Sequence, residues 1–131
     1  MVLQIQKSRM ISDVQHDFNQ AYPFLKIEFY KMPDVNTRIN IKKHLKDSNT
    51  IGTAGLLKEG YLEITDAMTV GELEKTLREI FGLSVQVSRK SGSIWLETTM
   101  TNNLTLKQQT EHGRELAEPL KKALQNEVDP D

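Results

Sequence analysis

The chain has no cysteine, which removes disulfides, thiolate catalysis and thiolate metal sites together. That absence fits a cytoplasmic protein, and a cytoplasmic location is the expectation. Aromatic residues are scarce, at 6% with a single tryptophan, Trp95, so any stacking surface has to be built around one indole. No apolar run approaches the ~20 residues that a membrane-spanning helix needs. The opening "MVLQIQKSRM" has no charged segment leading into an apolar one, so no signal peptide and no membrane partner are expected. An excess of one charge is lacking too. The formal net charge is −1, which gives no global pull toward nucleic acid or membrane. Within that balance residues 1–60 hold nine Lys/Arg against six Asp/Glu, and residues 61–131 hold eight against twelve. The two halves are therefore of opposite sign.

What the sequence does have is an internal echo. Leu3 and Ile5 alternate with polar residues, "ISDVQHDFNQAY" carries apolar residues at helical spacing (Ile11, Val14, Phe18, Ala21, Tyr22), and "LKIEFY" alternates again. Fifty-nine residues on, Leu62 and Ile64 alternate, "VGELEKTLREIF" repeats the helical set as Val70, Leu73, Leu77, Ile80 and Phe81, and "LSVQVS" alternates, with a slip of one residue after the helix. Period 2, then 3.6, then 2 is the pattern of a β-α-β unit, and the chain holds two. Thr69-Val70-Gly71-Glu72 fits a capping box, with Met68 and Leu73 as a hydrophobic staple and Gly82 as a left-handed C-terminal cap. Ser12-Asp13-Val14-Gln15 is a fainter version at the first helix. "RKSGS" joins two alternating runs as a tight hairpin with Gly92 supplying the positive φ. A third helix is predicted over 105–125, opening on a Thr105/Gln108 capping box and broken near Glu118 by Pro119.

These elements make one α+β domain over residues 1–126. It comprises a β-α-β unit (2–31), an irregular connection (32–60), a β-α-β-β unit (61–99) and the C-terminal helix, with a disordered tail over 127–131. The architecture predicted is a two-layer sandwich, two β-α-β units on a mixed or antiparallel sheet, ferredoxin-like with an extra strand and a C-terminal helix. If 51–57 is instead a strand, with "LLKEGYLEI" a hairpin around Glu59-Gly60, residues 51–99 follow the β-grasp order.

Alternation also assigns faces. Leu25, Ile27 and Phe29, Val85 and Val87, and Ile94, Leu96 and Thr98 point to the core; Lys26, Glu28 and Tyr30, Gln86 and Ser88, and Trp95 and Glu97 point away. A polar sheet face holding Trp95 and Tyr30 resembles the stacking platforms of nucleic-acid binders. The plainer alternative is that the third helix lies across it and buries Trp95. Arg89, Lys90 and the turn amides of Ser91 to Ser93 form a candidate anion grip or simply a solvated hairpin tip. Arg38, Lys42, Lys43 and Lys46, with His44, form a basic segment diluted by Asp34 and Asp47. His16 lies between Asp13 and Asp17, but no nucleophile can be named beside it, and His44 and His112 are isolated. No cofactor, no metal site and no catalytic residue is predicted.

"FGLSVQVSRKSGSIWLETT" followed by "NNLTLKQQTEHG", together with "QIQKSRMISDVQHDFNQAYPFLKIEFYK" nearer the start, resembles a family of small uncharacterised α/β proteins, mainly of Bacteroidetes bacteria. The resemblance implies one full-length domain and assigns no activity, cofactor, partner or site residue. Three functions follow as expectations. The first is a non-enzymatic binding or assembly module that engages a protein partner or its own copy through Trp95, Glu97, Tyr30 and the 89–93 hairpin. The second is a nucleic-acid binder using the same face with the basic 38–46 segment. The third is a small enzyme with His16 as base.

Overall fold

The computed structural model describes residues 1–31 and 43–116. In chain order the elements are β1 (Val2–Ile5), α1 (Ile11–Ala21), β2 (Leu25–Lys31), β3 (Lys43–His44), a short 3-10 helix (Ile51–Ala54), β4 (Gly60–Glu63), α2 (Val70–Phe81), β5 (Ser84–Ser91), β6 (Ile94–Glu97) and α3 (106–116), with a 3-10 turn at Thr99–Thr101. The α+β content expected from the sequence is present. The strands pair into two antiparallel groups, β1 with β4 and a four-stranded sheet in the order β3-β2-β5-β6. The two strands flanking each long helix thus belong to different groups, and this pairing does not trace a ferredoxin-like strand order.

The echo is spatial as well as sequential. In β1–β4, Leu3 faces Leu62, and in β2–β5, Glu28 faces Gln86. Each is a pair of echo-equivalent positions, so a local two-fold axis passes through both seams. The helix entries repeat bond for bond. Ile11 N–H donates to Asn49 O at 2.8 Å and Ser12 to Asp47 O at 3.0 Å; Val70 donates to Leu104 O at 3.1 Å and Gly71 to Asn102 O at 2.8 Å. In return, Ile51 and Gly52 donate to Arg9 O and Lys7 O, as Leu106 and Lys107 do to Met68 O and Asp66 O. Each unit is therefore strand, turn, helix, two strands, turn and a second helical segment.

One core runs through both units. Leu3, Ile5, Ile11, Val14, Phe18, Leu25, Ile27 and Phe29 from the first meet Ile64, Val70, Leu73, Leu77, Phe81, Val87 and Leu106 from the second. All of these are at most 4% exposed, so the centre of each helix's apolar stripe is removed from water, while Ile80 at the margin of the α2 stripe is 45% exposed. At α2 the capping box forms as the residues predict, Thr69 Oγ1 accepting from Glu72 N and Glu72 Oε2 from Thr69 N, and Gly82 closes the helix at φ 76°. Thr105 and Gln108 make the second box.

Several expectations are corrected. Helix α1 starts at Ile11 with Met10 as its N-cap and no side-chain cap bond, because the turn's backbone bonds to 47–49 fix the start one residue before Ser12. Residues 51–54 form a 3-10 helix, and 60–63 pair with β1 instead of folding back as a hairpin; the first strand of the β-grasp order is absent there. Ile94 and Leu96 were expected in the core and are 57% and 41% exposed. The reason is position: β6 is the outermost strand and overhangs the layer that α1 and α2 cover. The predicted break near Glu118, the helix beyond 116, the 127–131 tail, and Arg38 and Lys42 lie outside the described residues.

Candidate functional site

On the sheet face away from the core, alternation in β2 presents Lys26, Glu28 and Tyr30. Lys26 Nζ lies 5.0 Å from the centroid of the Trp95 ring and 3.0 Å from Glu28 Oε1. The other carboxylate oxygen of Glu28 meets His44 Nδ1 at 2.8 Å, and the His44 ring stands 4.3 Å from that of Tyr30. Trp95, Lys26, Glu28 and His44 thus form one continuous polar and aromatic line from β6 to β3, across the full width of the sheet. A cation over an indole at a half-exposed position contributes on the order of 0.5–1 kcal/mol, enough to hold the ring without burying it.

Tyr30 sits beneath this line. It was expected as a second exposed aromatic, and it is 6% exposed. Its hydroxyl is pushed up to about 12, first by burial and then by the negative charges of Glu28 and Glu97, with a hydrogen bond to Glu97 and the charge of Glu74 adding to the effect. The phenol is a neutral donor that positions Glu97. Gln86 and Ser88, on the same face of β5, are also buried, so the open part of the face is confined to Trp95, Lys26 and their neighbours.

Helix α1 completes the site. Ser12, Gln15, His16 and Asn19 share one helical face, and with Lys26, Glu28, His44, Asp47 and Trp95 they line a groove of about 560 Å³. Two of these side chains have a structural task. Gln15 Nε2 donates to Ile27 O at 2.9 Å and Asn19 Nδ2 to Leu25 O at 2.8 Å, while Leu45 N donates to Phe29 O at 2.9 Å. The outer edge of β2 is thereby closed. His16 is exposed at the groove wall, and Asp17, one of its two sequence neighbours, is engaged by Arg9 at 2.8 Å.

The hairpin divides the expected anion grip. Ser91–Gly92–Ser93–Ile94 closes in a two-residue turn with Gly92 at φ 61°, as a primed turn requires. Alternation then places Lys90 beside Trp95 but Arg89 on the opposite face, between Leu25 and Leu96. Arg89 Nε is buried and has no hydrogen-bond partner among the described residues. Ser93 and Lys90 are exposed, Ser91 partly so. Lys43, His44 and Lys46 are exposed at the β3 end of the sheet.

Helix α3 docks elsewhere. Leu106 enters the core, Gln109 Nε2 donates to Thr101 O at 2.8 Å, and a Cβ on Gly113 would stand 2.9 Å from Phe24 Cβ. No residue of 106–116 lines the groove that holds Trp95. Among the described residues no group of three or more His, Asp or Glu is placed to hold a metal ion, and no helix is long and apolar enough to cross a membrane. No protein-family model, curated protein or solved structure matches the chain.

Sequence reasoning found Trp95, Lys26, Glu28 and Glu97 on one face by period 2 alone. It missed His44 as their partner, since two strand residues inside a long irregular connection leave no periodicity to read. It also missed Gln15 and Asn19, whose only signal was their i, i+4 spacing on the polar side of α1.

Proposed function

We propose that the protein is a non-enzymatic binding or assembly module that engages a protein partner or its own copy through the outer sheet around Trp95 and the 89–93 hairpin. One observation carries this reading: Trp95, held by Lys26 on a strand whose neighbours are polar, is the one large aromatic that the core does not use and that opens into the groove. Lys26, Lys90 and Glu97 give its surroundings both signs of charge, which suits a protein surface. A nucleic-acid backbone would meet Glu28 and Glu97 beside the same ring, and phosphate contacts dominate such affinities. Cytoplasmic residence belongs to the same reading and rests on the lack of cysteine.

Emission and iodide quenching of Trp95 test it, because the chain has one indole. The expected result is red-shifted, quenchable emission in dilute solution that becomes blue and protected as an association forms, with Trp95→Ala weakening that association. Protected emission at every dilution, or a Trp95→Ala variant whose fold and associations match the wild type, overturns the reading.

A further inference from the structure

The two outer edges of the four-stranded sheet are treated differently. At one end the two-residue β3 covers Tyr30 and Lys31 of β2, and along the rest of that edge the carbonyls of Leu25, Ile27 and Phe29 are occupied by Asn19, Gln15 and Leu45. At the other end lies β6, which pairs on one side only among the described residues. The hairpin fixes which of its amides point outward. In a two-residue turn the flanking pair, Ser91 and Ile94, is the hydrogen-bonded one, so Ile94 and Leu96 bond inward to β5. Thr98 N, donating to Val87 O at 3.2 Å, keeps the same phase. The N–H and C=O groups of Trp95 and Glu97 therefore face away from the sheet. Next to them Ile94 and Leu96 expose apolar side chains, and no Lys or Pro interrupts β6 to discourage strand addition.

We infer that the outer edge of β6 pairs antiparallel with β6 of a second copy of this chain, centred on Trp95. This rests on the reading above and names its partner. The register follows from complementarity. With Trp95 opposite its own copy, the outward amides of both strands are in phase. Leu96 then stands opposite Ile94 of the second copy at a non-hydrogen-bonded position, where side chains approach most closely, and Glu97 stands opposite Ser93. A shift of two residues in either direction sets Ile94 against Thr98 or removes Leu96 from an apolar partner. The pairing is isologous and closes at two, because the remaining edge, β3, is two residues long and presents Lys43 and His44. Four residues per strand bury less than the ~1,200 Å² of a standard interface, so the dimer forms in a concentration-dependent way.

Sedimentation velocity on the full chain from about 5 to 500 µM reads the dimer directly. The expected result is a rise from monomer to dimer mass in that range, with rising exchange protection at the Trp95 and Glu97 amides. The variant Ile94→Lys/Leu96→Lys, altered only at exposed positions, should keep its circular dichroism and weaken dimerisation by roughly tenfold or more. A chain that stays monomeric throughout overturns the inference and leaves the wider reading to a different protein partner. A dimer that survives Ile94→Lys/Leu96→Lys but is lost in Trp95→Ala also overturns it, because the sheet face and not the edge would then make the contact.

Discussion

In the first half of the chain the outer edge of β2 carries only the two-residue β3 and is otherwise filled by Asn19, Gln15 and Leu45; in the second, the equivalent edge of β5 carries the four-residue β6. The halves agree where they face each other. Leu3 meets Leu62, Glu28 meets Gln86, and the helix entries share four backbone bonds. They diverge at the periphery: β3 is two residues against four in β6, and Ile51–Ala54 stands where the second half has α3. Positions on the seam serve both units at once, so close packing constrains them. Those at the rim serve one unit each and are available for contacts with other molecules.

The comparison breaks most readily in the core. Phe18 and Leu77 are equivalent and fully buried, so Phe18→Ala and Leu77→Ala should each destabilise by about 3–5 kcal/mol in urea unfolding. A cost near 1 kcal/mol at either position would show that the two helices do not share one core. Next comes Gly82. An added Cβ would meet Leu57 Cγ at 2.5 Å and Gly55 O at 2.7 Å at a positive φ, so Gly82→Ala should lose roughly 2–3 kcal/mol. Helix α1 ends at Tyr22 with φ −131° and has no such requirement.

A comparable effect appears at alkaline pH. The Tyr22 hydroxyl, buried and donating to Asp66 at 3.0 Å, is pushed up to about 12, first by burial, then by that hydrogen bond and the charge of Asp66; Tyr30 is raised similarly. Between pH 10 and 12 the unfolded chain releases these protons while the folded one keeps them. The stabilisation is thus complete below pH 10 and lost as pH rises through 12, on the order of 1–2 kcal/mol per tyrosine once solvent screening is allowed for. Phe81 is the non-titrating counterpart of Tyr22 in the second half. Denaturant titrations at pH 9 and 11.5 should show a shallower loss in Tyr22→Phe than in the wild type; parallel losses would contradict this. The smallest effect sharpens the comparison at the helix starts. Thr69→Ala should cost about 1 kcal/mol through its capping box, while Met10→Thr, supplying the missing cap at α1, should gain some tenths. Thermal melts of the two variants shifting in opposite directions would bear this out.

Much of this was legible in the sequence because it is local. The echo, the Thr69/Glu72 and Thr105/Gln108 boxes, Gly82 and the Gly92 hairpin all depend on residues within a few positions of one another. Alternation assigned Lys26, Glu28 and Trp95 to one face correctly. Period 2 names a strand's faces and not its neighbours, so it could not say that β1 pairs with β4, that Tyr30 would be covered, or that β6 would be outermost and leave Ile94 and Leu96 in water. His44 reaches Glu28 across a strand pair spanning Tyr30 to His44, a closure that no local spacing announces.

The crossed pairing of the halves also sets the order of assembly. Strand β1 needs residues 60–63 and β2 needs residues 84–91, so when the first half leaves the ribosome its only sheet pairing among the described residues is the two-residue contact of β2 with β3. At 5–20 residues per second, a separation of 59 residues is a wait of roughly 3 to 12 s. During that interval a neighbouring nascent chain offers the same surfaces as the half still to come. Exchange of halves between chains is the misassembly this pairing predicts, and slowing translation downstream of residue 60 should increase the swapped product.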